Sequence, residues 1–208
     1  MSRSFTILLD CDGPLADFSQ QYLNYFNEMM GTSFTKGDID EWDILSSLGL
    51  SGLEKEEARL KMHDIVCTKG YCMSIEPQPW AKYMVDQLKD MGHVIVVTSP
   101  WRGSIYWMGE REKWLGQFFG IDPKDVIFAH RKNLVMGDCL IDDKVDHVHK
   151  WAATFRGRSS ILFPTGANRS TEIPRDPRGG PSRVNRATSW KDVVSLVEGI
   201  GRHLYPGA

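Results

Sequence analysis

No stretch of this 208-residue chain approaches the ~20 apolar residues that a membrane-spanning helix requires, so no membrane association is expected. Cysteine is scarce: Cys11, Cys67, Cys72 and Cys139 are too few and too scattered to form a disulfide framework. Charge of one sign is also lacking. The 25 Lys and Arg residues against 27 Asp and Glu give a formal net charge of −2, which excludes the global basic field of a nucleic-acid binder. No stable nucleic-acid partner is therefore expected. The opening "MSRSFTILLDCDG" holds only a short apolar run and does not read as a signal peptide, so reduced thiols in the cytoplasm are expected. No internal repeat is visible. The length suits one sizeable domain, or a core with a smaller insertion.

Against these absences stands a regular alternation. Phe5–Leu9, Val94–Thr98, Val126–Ala129, Cys139–Asp142 and Ser160–Phe163 read as five short buried strands. Helical patterns over Glu110–Phe119 and Val145–Phe155 separate the later ones, which predicts an α/β fold with a Rossmann-like parallel sheet. About eighty residues divide the first two strands, far more than a crossover needs. That interval holds an amphipathic run (Leu15, Phe18, Tyr22, Tyr25, Phe26, Met29) stopped by Gly31, and a charged helix over Leu53–Val66. The expected organisation is a core domain over residues 1–18 and 72–208, with a small helical cap, residues 19–71, inserted after strand 1. Helix Trp80–Met91 returns the chain to the sheet, residues 164–187 read as a long irregular loop, and Ser189–His203 forms a final helix.

The stretch "ILLDCDGPLADF" places two carboxylates, Asp10 and Asp12, one residue apart at the end of a buried strand. Alternate strand residues share a face, and like charges at close range repel unless a cation or a proton lies between them. Three further features close predicted strands: Thr98-Ser99-Pro100, Lys132 beyond "VIFA", and Asp142-Asp143 after "CLI". Open α/β sheets place their ligand sites at such strand ends. Together the features specify a reaction. Clustered carboxylates make a hard-oxygen site that suits Mg²⁺. One carboxylate can act as a covalent nucleophile, and a second can protonate the leaving oxygen and later activate water. A hydroxyl and an ammonium can hold the remaining phosphoryl oxygens.

In their order, "DCDGPLADF", "VVTSP", "HRK" and "LIDDK" resemble the four motifs of the haloacid dehalogenase-like phosphohydrolases. Ala16-Asp17-Phe18, "TSP", the ten-residue spacing from Lys132 to "DD", "IEPQPWA" and "SWKDVV" are similar to the 5′(3′)-deoxyribonucleotidase branch. The resemblance spans roughly Phe5–Val148 and is weakest in the cap. It implies Asp10 as nucleophile and Asp12 as general acid/base. It assigns Mg²⁺ to Asp10, the Asp12 carbonyl and Asp143, with Asp142 close by. It gives the phosphate to Thr98 and Lys132, with Ser99 next in line, and the nucleoside pocket to Phe18. Cys11 and Pro14 depart from the residues expected at their places.

Of the tryptophans, Trp42 in "DIDEWDILSSL" is the best candidate for stacking a base, although large aromatics more often pack the core. His147 and His149 lie two apart on a helix and so face different ways, while Cys67 and Cys72 lack a second pair, so no zinc site is expected. The arginines of 169–186 are offset by Glu172 and Asp176 and read as a solvated loop. The expected activity is Mg²⁺-dependent hydrolysis of nucleoside monophosphates, a small-molecule substrate. Another small phosphorylated metabolite, a polynucleotide end, a catalytically silent binding module and a homodimer all stay open.

Overall fold

The computed structural model describes residues 5–206; the outermost residues of the expected core domain, 1–4 and 207–208, lie outside the described residues. Six strands form one parallel sheet in the order β3-β2-β1-β4-β5-β6. These are β1 (Thr6–Leu9), β2 (His93–Thr98), β3 (Val126–Phe128), β4 (Cys139–Asp142), β5 (Ser159–Leu162) and β6 (Val184–Arg186). The central strands read as unbroken aliphatic runs because helices cover both faces. In register, Leu8 pairs with Ile95 on one side and Leu140 on the other.

Alternation along the strands sorts the core into two sides. Ile7, Leu9, Val96 and Ile141 join a cluster with Leu88, Val193 and Val197 from helices α4 (Ala81–Met91) and α7 (Trp190–Leu204). Leu8, Val97 and Leu140 face the other way onto Trp151 of helix α6 (Val145–Thr154). Helix α5 (Trp107–Phe119) follows β2 and buries Trp107, Arg111, Trp114 and Leu115. Between β1 and β2 lie α1 (Phe18–Met30), the short α2 (Ile44–Ser47) and α3 (Gly52–Val66). The first hydrophobic cluster runs without a break into this insertion, through Leu23, Phe26, Leu45 and Met62. No helix among the described residues is long and apolar enough to cross a membrane.

The structure corrects three expectations. The long loop of 164–187 contains a sixth strand, where five were expected. Its three residues bury only Val184, too little apolar surface to produce a recognisable period, and backbone bonds from Ser160 to Arg183 and from Ala187 to Leu162 hold it to β5. Leu15 belongs to the turn after β1 and not to the following helix, which starts at Phe18 behind the Asp17 cap. Trp80 lies outside α4, exposed, with φ at +70°. Gly31 does end α1, in the left-handed conformation that glycine adopts without a Cβ penalty.

Candidate active site

The sheet extends one bond beyond β1, where the Asp10 amide donates to the Ile141 carbonyl at 2.9 Å. The chain then turns sharply: the amides of Leu15 and Ala16 both donate to the Cys11 carbonyl, at 2.8 and 2.9 Å. Gly13 takes a φ of +91° in this turn, and a Cβ there would collide with Oδ2 of Asp143. Glycine is thus required twice, for the backbone angle and for the approach of the β1 and β4 loops.

Lys132, from the loop after β3, reaches into the gap between β1 and β4 and is only 2% exposed. Its ammonium lies 2.6 Å from Oδ1 of Asp10 and 2.7 Å from Oδ2 of Asp142. Burial works against that charge, but the two carboxylates outweigh it and raise the lysine's pKa. The acids respond unequally. Burial and the neighbouring Asp142 push Asp10 up to about 8, against the pull of Lys132. Burial, followed by Asp10 and Asp142, raises Asp143 well above the usual carboxylate range. For Asp142 burial also opposes ionisation, yet Lys132 and His147 hold the group below its ordinary value.

The partners explain this inequality. Asp142 accepts from Lys132, from the Lys144 amide at 2.8 Å, and lies 3.1 Å from Nδ1 of His147. Asp143 keeps a buried oxygen, Oδ1, with no hydrogen-bond partner among the described residues, and Thr98 at the end of β2 likewise buries an Oγ1 unpartnered among them. An unpaired buried polar atom is costly unless a ligand completes it.

Ligand atoms of Asp10, Asp142 and His147 lie within 4.8 Å of one another, but the ammonium of Lys132 already bonds two of the three. The carboxylates of Asp10 and Asp143 fit a cation better, since Lys132 bonds only one of them. Both are buried, both resist ionisation in isolation, and one oxygen is orphaned. This all-oxygen donor set fits a hard divalent cation.

Of the remaining residues singled out by sequence, Ser99 lines the same cavity but donates its hydroxyl to the Ala129 carbonyl at 3.2 Å. Asp12, partly exposed, directs Oδ1 to Nη2 of Arg111 at 2.7 Å. The cavity, about 1070 Å³, opens above Asp10, Lys132 and Asp143 toward the inserted helices. Phe18 and Trp42 both line it. Phe18 packs in an aromatic wall, 5.8 Å between ring centroids from both Tyr22 and Trp101. Trp42 is half exposed, with the Lys144 ammonium 4.7 Å from its ring centroid.

Sequence reasoning missed Arg111, His147 as the partner of Asp142, and Asn168. The Asn168 side chain donates at 2.7 Å to the carbonyls of Asp143 and Phe163, tying the β4 loop to the end of β5. Arg111 and Asn168 lie far from any motif, whereas His147 follows "LIDDK" by three residues. The one available signal was an arginine framed by Trp107 and Trp114 on the apolar stripe of a helix.

A family model described as 5′ nucleotidase, deoxy (pyrimidine), cytosolic type C protein matches residues 3–202 of this chain. A human protein named 5′(3′)-deoxyribonucleotidase, cytosolic type, is 29% identical over 201 residues, covering 92% of this chain and 92% of that protein. A Clostridium acetobutylicum protein named 5′(3′)-deoxyribonucleotidase is 25% identical over 197 residues, covering 94% and 96%. Among solved structures, a haloacid dehalogenase-like hydrolase from Burkholderia xenovorans LB400 aligns with a TM-score of 0.61 at 16% identity. It covers 95% of this chain and 98% of that one, a likeness of fold.

Proposed function

We propose that this chain, which belongs to the 5′ nucleotidase, deoxy (pyrimidine), cytosolic type C protein family, removes phosphate from deoxyribonucleoside monophosphates through a covalent intermediate on Asp10. The chain is a phosphoric monoester hydrolase of the 5′(3′)-deoxyribonucleotidase type. The observation that carries the mechanistic reading is the convergence of Asp10, Lys132 and Asp143 beside the unpartnered hydroxyl of Thr98 at one end of the sheet. We place the enzyme in the cytoplasm, following the name of its human relative.

In the first step a carboxylate oxygen of Asp10 bonds to phosphorus as the ester P–O bond breaks, and Asp12 gives its proton to the departing alkoxide. In the second, Asp12 takes a proton from water, whose oxygen attacks phosphorus and releases phosphate from Asp10. Lys132 and Thr98 hold phosphoryl oxygens through both steps, and the salt bridges to Asp10 and Asp142 fix the lysine beforehand. Asp10, Asp143 and the Asp12 carbonyl would hold Mg²⁺, with Asp142 behind them as the partner of Lys132. Bound there, the ion supplies charge neutralisation at the phosphoryl oxygens. The aromatic wall and the inserted segment 19–71 take the nucleoside, a division of labour in which the sheet does the chemistry and the cap selects.

A panel of phosphomonoesters assayed with Mg²⁺ tests this reading. Deoxyribonucleotides should be turned over ahead of ribonucleotides and sugar phosphates, and exhaustive chelation should stop the reaction. Preference for a sugar phosphate would overturn the substrate assignment, and full turnover after chelation would overturn the cation.

A further inference from the structure

Arg111 is the one fully buried arginine among the described residues. It stands on α5 between Trp107 and Trp114, its guanidinium carbon 4.9 and 5.2 Å from their ring centroids. A guanidinium removed from water needs its donors satisfied. Here Nη1 donates to Sγ of Cys11 at 3.2 Å, Nη2 donates to Oδ1 of Asp12 at 2.7 Å, and Nε has no partner among the described residues. The pair is enclosed only at its arginine end: it closes on a carboxylate whose side chain is 29% exposed and lines the cavity that holds Asp10 and Lys132.

We propose that Arg111 is a positioning residue that selects which oxygen of Asp12 carries the proton. The inference rests on the acid/base role of Asp12 given above. Guanidinium only donates hydrogen bonds, and an oxygen that accepts from this fixed cation is the less basic of the two, which favours the proton on the other oxygen. With Oδ1 engaged, Oδ2 is left to give a proton to the departing alkoxide and to take one from water. The two indole faces keep the guanidinium from swinging, and the bond to Cys11 ties it to the residue between the two catalytic aspartates. The Cys11 sulfur, unexpected in the sequence, thereby acts as an acceptor for the clamp.

The test compares kcat/KM, which reports on steps up to the first irreversible one, for a deoxyribonucleoside 5′-monophosphate and for p-nitrophenyl phosphate. The nucleoside alkoxide needs a proton to leave; nitrophenolate scarcely does. Arg111→Met should lower kcat/KM on the nucleotide by about 10- to 100-fold, part of the 10²–10⁴ that general acid catalysis supplies. On the aryl ester the loss should stay below about threefold, and Arg111→Lys should recover part of the nucleotide rate. If the arginine acts through Asp12, adding Arg111→Met to Asp12→Asn should cost less than about twofold more, the non-additivity expected of coupled residues. Equal losses on both substrates, or additive losses with Asp12→Asn, would overturn the positioning role. Should Arg111→Met fail to fold, Arg111→Lys carries the same comparison, and equal losses there count against the proposal. A wild-type enzyme that hydrolyses the aryl ester but no nucleotide would refute the nucleotide reading alone, because the coupling to Asp12→Asn is then read in kcat on the aryl ester, where release of phosphate from Asp10 still needs Asp12 to take a proton from water.

Discussion

The floor and the wall of the cavity are built on opposite principles. On the floor and directly beneath it, Asp10, Thr98, Lys132, Asp142 and Asp143 are each less than a tenth exposed, held by the ends of β1, β2 and β4 and, for Lys132, by the loop after β3. On the wall, Phe18, Trp42 and Trp101 come from a helix start, an irregular segment and a loop, and all keep exposed surface. Buried charge is costly, so the floor is affordable only as a closed network of ion pairs with a place reserved for a ligand. Aromatic side chains carry no such penalty, and the wall can vary while the floor stays. On the function proposed above, the chemistry is therefore rigid and the selectivity adjustable.

Exchanging a floor residue should break this division most sharply. Asp10→Asn should reduce turnover of every phosphomonoester to background while leaving the protein folded, since an amide is a poor nucleophile. Residual covalent phosphate on any residue other than Asp10, seen by mass spectrometry of a quenched reaction, would remove Asp10 from its role. Lys132→Ala should be nearly as severe and should also reach the fold. Losing an electrostatic clamp on the phosphoryl group costs on the order of 10²–10³ in kcat. Stripping a buried pair of one partner costs about 3–5 kcal/mol. Activity and Tm measured on one preparation check both, and an unchanged Tm would show that Asp10 and Asp142 do not need the ammonium.

The cation sharpens the contrast through pH. The carboxyl of Asp10 titrates near 8 in the folded protein against 3.8 in its ordinary state, and Asp143 is raised in the same direction. The folded state thus binds these protons more tightly than the unfolded state, so the contribution of these two acids to stability is full below the ordinary carboxylate range and is lost as pH rises toward 8. A divalent cation held by the two carboxylates would remove that penalty. Added Mg²⁺ should raise Tm more at pH 8 than at pH 5, with a gain approaching ~2.7 kcal/mol at a hundredfold excess over Kd. Equal shifts at the two pH values in a thermal scan would dissociate the acids from the cation.

Wall substitutions should be milder and selective. Phe18→Leu keeps apolar volume but removes the ring. If the ring stacks a base, its loss costs about 1–3 kcal/mol, roughly 5- to 150-fold at ~1.4 kcal/mol per decade. That loss should appear in kcat/KM on nucleotides and spare p-nitrophenyl phosphate. Trp42→Ala should have the smallest effect, because one face of its indole is already engaged by Lys144. An exposed cation–π contact is worth about 0.5–1 kcal/mol. A nucleotide-specific loss at Trp42 as large as at Phe18 would show that the indole leaves Lys144 for the base.

Much of the floor was legible in the chain because a parallel strand buried on both faces must be aliphatic, and its polar residues can survive only at its end. Thr98 and Asp142 each interrupt such a run at its last position, and Asp10 directly after it. The sixth strand was not legible, since Val184–Arg186 carries one buried residue and its pairing comes entirely from β5. Nor was the unequal fate of Asp142 and Asp143 visible. Adjacent residues on an extended chain point to opposite sides, and only the placement of Lys132, His147 and Gly13 decides which carboxylate is satisfied and which is left open.

Local pattern, acting through hydrophobic period, strand-end polarity and the glycine at position 13, determined the sheet, the direction of its strands and the end at which its acids gather. Tertiary structure alone decided the electrostatic assignment of each acid: Lys132 to Asp10 and Asp142, Arg111 to Asp12, and no protein cation within bonding reach for the buried Oδ1 of Asp143. The reason is range. Periodicity and turn chemistry act over a few residues, whereas the partner of a buried charge, ninety-nine residues away for Asp12 and Arg111, is set by which strand ends and helices the fold brings together.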